Sequence, residues 1–410
     1  MQNHINHESH SALAADIHGY VKELSETIGR RPVGSPGNRA ATDFFTATVQ
    51  KFGFAVVQSE FTCMHWEGDE VTLTAGNDCF HAEASPYSPG CRVTGQLLQA
   101  GTVTELENAD LFGKIVLLHS ELTREQLMPK NFPFYNPDHH QKIIALLEQK
   151  KPLAIIAATT RNPETAGAMY PFPLFMDGDF DIPSVYMVAE EGERLKQYCD
   201  RQITLTHKSR RIQSTGCNVL ARKGAQNKAR LVFCAHIDTH NFTPGALDNA
   251  AGVAVLMALA GMLRDYTGKR EIEIIAFNGE DYYATPGQLQ YLAQNRNKLG
   301  DIKLALNIDG AGYIDGRSAF SFYECPEAMA TQVGTIISRY PGLFEGECWP
   351  QGDHSIFAQN QRPAVAFTSE KFKQLCAEIT HTKKDLPELV DCNKLAEIAL
   401  ALRDVALDLK

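Results

Sequence analysis

Two histidines and four carboxylates stand where a sheet of parallel strands would bring them together. The apolar run beginning at Leu231 delivers His236 and Asp238, the run beginning at Ile274 delivers Glu280 and Asp281, and the run beginning at Leu304 delivers Asp309. A fourth run, 364–367, leads into a loop that reaches His381, and Asp248 opens the helical pattern that follows Gly245. Taken singly, each has an ordinary explanation. Asp248 suits a helix cap, Asp309 before Gly310 a turn, and His236 a hydrogen-bonded core histidine. Glu280 and Asp281 suit a solvated loop, and His381 has no individual claim. Gathered at one sheet edge, however, the carboxylates would repel one another strongly without cations. Histidine nitrogen with carboxylate oxygen suits Zn²⁺, and also Co²⁺ or Mn²⁺. Three carboxylates and two histidines exceed what one tetrahedral zinc takes. They fit two ions sharing a bridging carboxylate, with Glu280 left free to exchange protons.

The elements that must position these residues follow from hydrophobic patterning. Strands are predicted at 230–235, 271–277, 303–308 and 364–367, separated by helical patterns at 249–266, 287–295 and 328–340, with a last helix at 392–409. Strands alternating with helices predict an α/β fold, a mixed and mainly parallel sheet with helices on both faces. Such sheets bind ligands at the carboxyl ends of their strands. Ile17, Val21, Leu24 and Ile28 recur at helical spacing, a turn-rich break covers 31–38, and a second helix is predicted at 39–52. The texture changes between 62 and 211. Short β-like runs at 70–74, 92–99, 114–118, 153–158 and 182–188 mix with helical patterns at 140–149 and 190–198. This stretch reads as a smaller β/α domain inserted into the first, giving boundaries of 1–62 with 213–410 for one and 63–212 for the other.

Composition narrows the partners. The 410 residues are 44% hydrophobic and 21% charged, an ordinary balance for a chain with a large core. A net charge of −10 makes a phosphate backbone a poor partner, so no nucleic acid is expected. No stretch approaches the ~18 apolar residues of a membrane span, and the first residues lack the basic and apolar regions of a secretory signal. The ten cysteines form no C-x-x-C pair, and scattered thiols of this kind suggest a reduced, cytoplasmic setting.

The ordered motifs resemble peptidase family M28, the co-catalytic zinc exopeptidases. They are His236-Ile237-Asp238, Gly245 to Gly252 around Asp248, Asn278-Gly279-Glu280-Asp281, Asn307-Ile308-Asp309 and Thr380-His381. Gly352-Asp353-His354 is similar to that family's Ser-Asp-His segment, Gly34 to Gly37 to its N-terminal segment, and 63–211 to the protease-associated domain often inserted in it. The resemblance implies a two-zinc aminopeptidase acting on peptides. His236 and Asp309 would complete one metal, Asp281 and His381 the other, and Asp248 would bridge both. Asp238 would orient His236, and Glu280 would be general base and acid to a water activated between the metals. His354 and His240 are read as structural and loop residues, and Asp138-His139-His140 as a helix cap. Two departures stand out. Asp281 occupies a position more often Glu, one methylene longer. Thr380 stands where several relatives have a Tyr, leaving Tyr282, Tyr283 and Tyr313 as candidates for a phenol at the oxyanion. The alternatives within the resemblance are a carboxypeptidase or dipeptidase, a glutaminyl cyclase-like acyltransferase with one zinc, and a non-catalytic binding protein. A homodimer is open.

Overall fold

Four apolar runs form the centre of an eight-stranded sheet. In the computed structural model, which describes residues 7–68, 70–162, 167–225 and 229–409, its order is Ala55–Glu67, Arg210–Gly224, Glu271–Phe277, Arg230–His236, Ile302–Ile308, Ala364–Ser369, Ser318–Tyr323 and Leu343–Glu345. The middle four pair in parallel, so their carboxyl ends share one edge. Antiparallel neighbours flank them, Arg210–Gly224 on one side and Ser318–Tyr323 on the other. The fold is mixed α/β, with a mainly parallel sheet.

Every residue of Arg230–His236 and Glu271–Phe277 is buried, as expected for strands covered on both faces. Consecutive side chains point to opposite faces. Ala276 joins a core built with Ile17, Phe45, Leu256, Ile336 and Leu402 from five helices: His7–Lys22, Pro36–Lys51, Ala251–Met262, Glu327–Ile337 and Cys392–Asp408. Phe277 turns the other way, its ring 5.2 Å from Tyr291 and 6.4 Å from Phe357, on helices Pro286–Asn295 and His354–Ala358. The charged residues inside these strands are paired. Arg230 donates to Glu271 at 3.0 Å and to Glu273 at 3.2 Å, and Tyr291 donates to Glu273 at 2.9 Å.

One difference from the patterning bears on the site. The helix predicted at 249–266 begins at Ala251 and ends at Met262. Before it, Ala246–Ala250 makes a wider turn in which Asp248 and Asn249 leave helical angles. Asp248 therefore does not cap this helix. Asn249 takes over, its Oδ1 accepting from Gly252 N at 3.0 Å while its Nδ2 donates to Ile308 O at 2.8 Å. The Asp248 carboxylate is thereby left free for other work.

The chain divides into two units, Met1–Cys63 with Thr215–Lys410, and Met64–Ser214. The second contains its own sheet, ordered Asp78–Phe80, Val71–Ala75, Gln202–His207, Cys91–Ala100, Ile115–Leu118, Ala154–Thr159, Ser184–Val188 and Glu83–Ala84. Four of these strands, from Cys91–Ala100 to Ser184–Val188, pair in parallel. Alternation feeds two cores: Val116 and Leu118 pack with Ile143 and Leu147 on one side, Ile115 and Leu117 with Leu195 and Leu205 on the other.

Candidate metal centre

The parallel strands release their chains at one edge, and the six predicted cation-site residues other than Asp238 converge there. Asp248 is the hub. Its Oδ1 lies 3.0 Å from His236 Nε2 and its Oδ2 lies 3.2 Å from His381 Nε2. Asp309 Oδ1 approaches His236 Nε2 at 3.6 Å, and Asp281 Oδ1 approaches His381 Nε2 at 3.1 Å. One carboxylate thus joins two sets, His236 with Asp309 and His381 with Asp281. Donor atoms of His236, Asp248 and Asp281 fall within 4.8 Å of one another. The Glu280 carboxylate belongs to none of these pairs.

The electrostatics of the cluster call for positive charge. Burial alone would lower the His236 pKa, but Asp248 and Asp309 outweigh it and raise it well above its ordinary value. His381 behaves likewise under Asp281 and Asp248. Burial, with Asp281, Asp309 and Asp353 nearby, pushes Glu280 well above the usual carboxylate range. Burial raises Asp281 too, yet His240 and His381 overcome it and hold Asp281 well below. The tautomer of His236 sharpens the point. Its Nδ1 donates to the Asp238 carbonyl at 3.2 Å, so in the neutral ring Nε2 carries a lone pair. That atom is buried without a hydrogen-bond partner, and it faces a carboxylate oxygen at 3.0 Å. Two lone pairs at that separation repel unless a proton or a cation lies between them. The donor set therefore fits divalent cations.

Buried charges hold the loops that carry these groups. The Asp238 carboxylate accepts from the backbone N–H groups of Gly279 at 2.7 Å, Glu280 at 3.3 Å and Asp281 at 3.0 Å. Its distance to His236 Nδ1 is 3.8 Å, beyond hydrogen-bond reach. The His236 ring proton goes instead to the carbonyl of Asp238, while the carboxylate takes the three turn amides. Asp385 does the same for the other loop, accepting from Leu247 N at 2.7 Å and Asp248 N at 3.1 Å. Burial, with Asp248 close by, raises Asp385 to about 7. Arg31 is fully buried and donates to the carbonyls of Leu24, Gly29, Ile237, Pro244 and Gly245 at 2.8–3.0 Å.

Patterning overlooked Asp385 and Arg31, and neither carries a local signal. Asp385 follows two lysines in a polar run, and Arg31 opens a turn-rich break. His240, read as a loop residue, stands in the cluster: its Nε2 is 3.2 Å from Asp281 Oδ1 and its ring stacks on His381 with centroids 3.7 Å apart. His354 is buried with Nε2 donating to Trp349 O at 3.0 Å. Gly352, where the resembling segment has Ser, adopts φ +116, and a Cβ there would lie 3.1 Å from His354 Nδ1 and 3.3 Å from Asp309 Oδ2. Tyr282 and Tyr283 pack ring to ring at 4.4 Å, and Tyr313 bridges to Val390.

A second gathering, Glu125 with His139 and His140, lies in the other unit. His140 Nδ1 accepts from Met128 N at 3.1 Å. A neutral ring then carries its proton on Nε2 and offers no lone pair toward Glu125. Asp138 opens the helix Asp138–Lys150, with Pro137 before it at the cap position.

Residues 218–406 match the model of peptidase family M28. This segment belongs to peptidase family M28. Within the M28 segment fall His236, Asp238, Asp248, Glu280, Asp281, Asp309 and His381; Arg31 lies outside it. The chain is 24% identical over 336 residues to aminopeptidase YwaD of Bacillus subtilis, covering 77% of this chain and 69% of the relative. It is 25% identical over 317 residues to the probable lipoprotein aminopeptidase LpqL of Mycobacterium tuberculosis, covering 74% of this chain but only 59% of that relative's length. Among solved structures, an aminopeptidase from Aneurinibacillus sp. strain AM-1 superposes with a TM-score of 0.72 at 23% identity, over 96% of this chain and 93% of that one. The zinc aminopeptidase BSAP from Bacillus subtilis gives 0.75 at 21% identity, over 97% and 94%. These superpositions establish that the M28 segment and the rest of the chain share the fold of those proteins. Among the described residues, no helix is long and apolar enough to cross a membrane.

Proposed function

We propose that this chain is a zinc-dependent aminopeptidase that removes N-terminal residues from peptides, with two divalent cations held by His236, Asp248, Asp281, Asp309 and His381. The observation that carries the reading is Asp248, whose two oxygens face two histidines of different sets. A carboxylate so placed suits a bridge between two ions. The names of YwaD, LpqL and BSAP support the aminopeptidase and zinc assignments. The separate mixed sheet of Met64–Ser214 is consistent with a protease-associated module.

When bound, such a pair of ions supplies Lewis acidity at the scissile carbonyl and lowers the pKa of a water in the site. The protein's residues do the rest. Asp238 fixes the 279–281 turn through three amides, which sets Glu280 beside the cluster while sparing its carboxylate from ion pairing. Its raised proton affinity suits it to take a proton from water as hydroxyl adds to the carbonyl carbon. Glu280 then gives that proton to the amine nitrogen as the C–N bond breaks. Water is consumed, and one amino acid and a shortened peptide are released.

Glu280→Gln tests the chemistry. It should keep zinc content and fold while lowering kcat by about 10²–10⁴-fold, and near-normal turnover removes Glu280 from the reaction. A panel of aminoacyl and N-blocked peptides tests the class. Cleavage confined to substrates with a free amine supports an aminopeptidase, release of C-terminal residues from blocked peptides supports a carboxypeptidase, and ring closure of N-terminal Gln supports a cyclase.

A further inference from the structure

We propose that His240 is a positioning residue for the second cation, the one assigned to Asp281 and His381. This inference rests on the two-cation reading above. His240 holds Asp281 from both sides: its backbone N–H donates to Oδ2 at 3.1 Å, and its ring Nε2 lies 3.2 Å from Oδ1. The same ring stacks on His381 at 3.7 Å between centroids and 28° between planes. Its polar contacts and its ring contact thus go to the two ligands peculiar to one cation, and to neither His236 nor Asp309.

The shorter Asp281 gives this contact a purpose. Aspartate lacks the extra methylene with which glutamate reaches an ion, so a carboxylate at this position needs its orientation fixed from outside. The backbone of His240 is itself anchored, since Thr239 N donates to Arg31 O at 3.3 Å and Arg31 N donates to Thr239 Oγ1 at 3.0 Å.

His240 acts on the ligands rather than as one of them. Zinc lies about 2.0–2.1 Å from a histidine nitrogen, which puts each ring centroid about 3.2 Å from the ion. Two centroids 3.7 Å apart would then subtend about 70° at the metal, far tighter than the tetrahedral angle of about 109°. Both rings cannot ligate one ion in this stack. A hydrogen bond from His240 Nε2–H to Asp281 fits the same positions without conflict.

The test is cation uptake by the full-length protein, stripped with a chelator and titrated with Co²⁺, read by visible absorption and by metal content. Wild type should take two equivalents. His240→Ala should bind the first as wild type does and the second about 10–100-fold more weakly, the range expected when a group supporting a ligand is lost. His240→Gln, whose side-chain N–H can still reach Asp281, should recover part of the second affinity. Far-UV circular dichroism of the stripped variants shows that each is folded. Unchanged second-site affinity in His240→Ala overturns the proposal and leaves the two-cation reading intact. Equal weakening of both equivalents, or no recovery in His240→Gln, also overturns it. A wild type that takes fewer than two equivalents overturns the two-cation reading and this inference with it.

Discussion

Arg31→Lys should destabilise the cation-binding unit by about 2–6 kcal/mol. The Arg31 guanidinium is fully buried and serves five main-chain carbonyls, three of them (Ile237, Pro244 and Gly245) on the loops that carry His236 and Asp248. A lysine ammonium has three donors, so at least two carbonyls lose their partner. Each buried polar group left unsatisfied costs about 1–3 kcal/mol, which gives the range stated. Burial already lowers the guanidinium to about 10. A lysine starts about two units lower, so the same burial would bring it toward neutrality and weaken the bonds that remain. The protein contains only two tryptophans, Trp66 in one unit and Trp349 in the other. In a Trp66→Phe background, Trp349 emission reports the unit that contains Arg31. Urea unfolding followed by that signal, with and without Arg31→Lys, measures the difference. A change below about 0.5 kcal/mol, the scale of an ordinary surface substitution, would refute the idea that these carbonyls depend on Arg31.

The same geometry sets four further outcomes. Asp248→Asn should abolish tight binding of both cation equivalents, whereas Asp281→Asn and Asp309→Asn should each weaken one, because only Asp248 faces both histidines; equilibrium dialysis with zinc distinguishes these patterns. Gly352→Ala should lower stability by about 1–3 kcal/mol through its positive φ and crowd Asp309 Oδ2, read as a lower unfolding midpoint and weaker uptake of one equivalent. Asp238→Asn should lower kcat by about 10–100-fold with the His236 ring still able to donate to the residue-238 carbonyl, because a side-chain NH₂ would replace one acceptor of the 279–281 amides. Stripping the wild type with a chelator should lower its thermal midpoint, and added zinc should restore it, since a ligand bound only by the folded state stabilises that state; an unchanged midpoint would argue against cations in this cluster.

The cluster was legible in sequence to the extent that it obeys strand geometry. Parallel strands buried on both faces announce themselves as apolar runs, and the residues just past the end of each run must emerge at one edge. His236, Glu280, Asp281 and Asp309 were findable for that reason. The strand Ser318–Tyr323 escaped because its serines interrupt the apolar pattern, and Leu343–Glu345 because three residues are too few to show one. Asp248 was legible as a cluster residue, although it stands before the helix rather than in its first turn: the helix starts three residues later and Asn249 accepts from Gly252 N. The groups that hold the site still are a different matter. Asp238 and Asp385 each accept the amides of a loop distant in sequence, 41–43 and 137–138 residues away, and Arg31 reaches carbonyls more than 200 residues on. Nothing periodic marks such a residue, because its partners are backbone atoms that every sequence contains. The cluster divides accordingly into side chains that present donors to a cation and buried charges that satisfy the main chain behind them. A loop bent sharply enough to aim a carboxylate at a metal leaves amides and carbonyls that no strand or helix pairs, and a buried anion or guanidinium can satisfy several of them at once. The bend that makes Asp248 available is thus held through its amides by Asp385 and through the carbonyls just before it by Arg31.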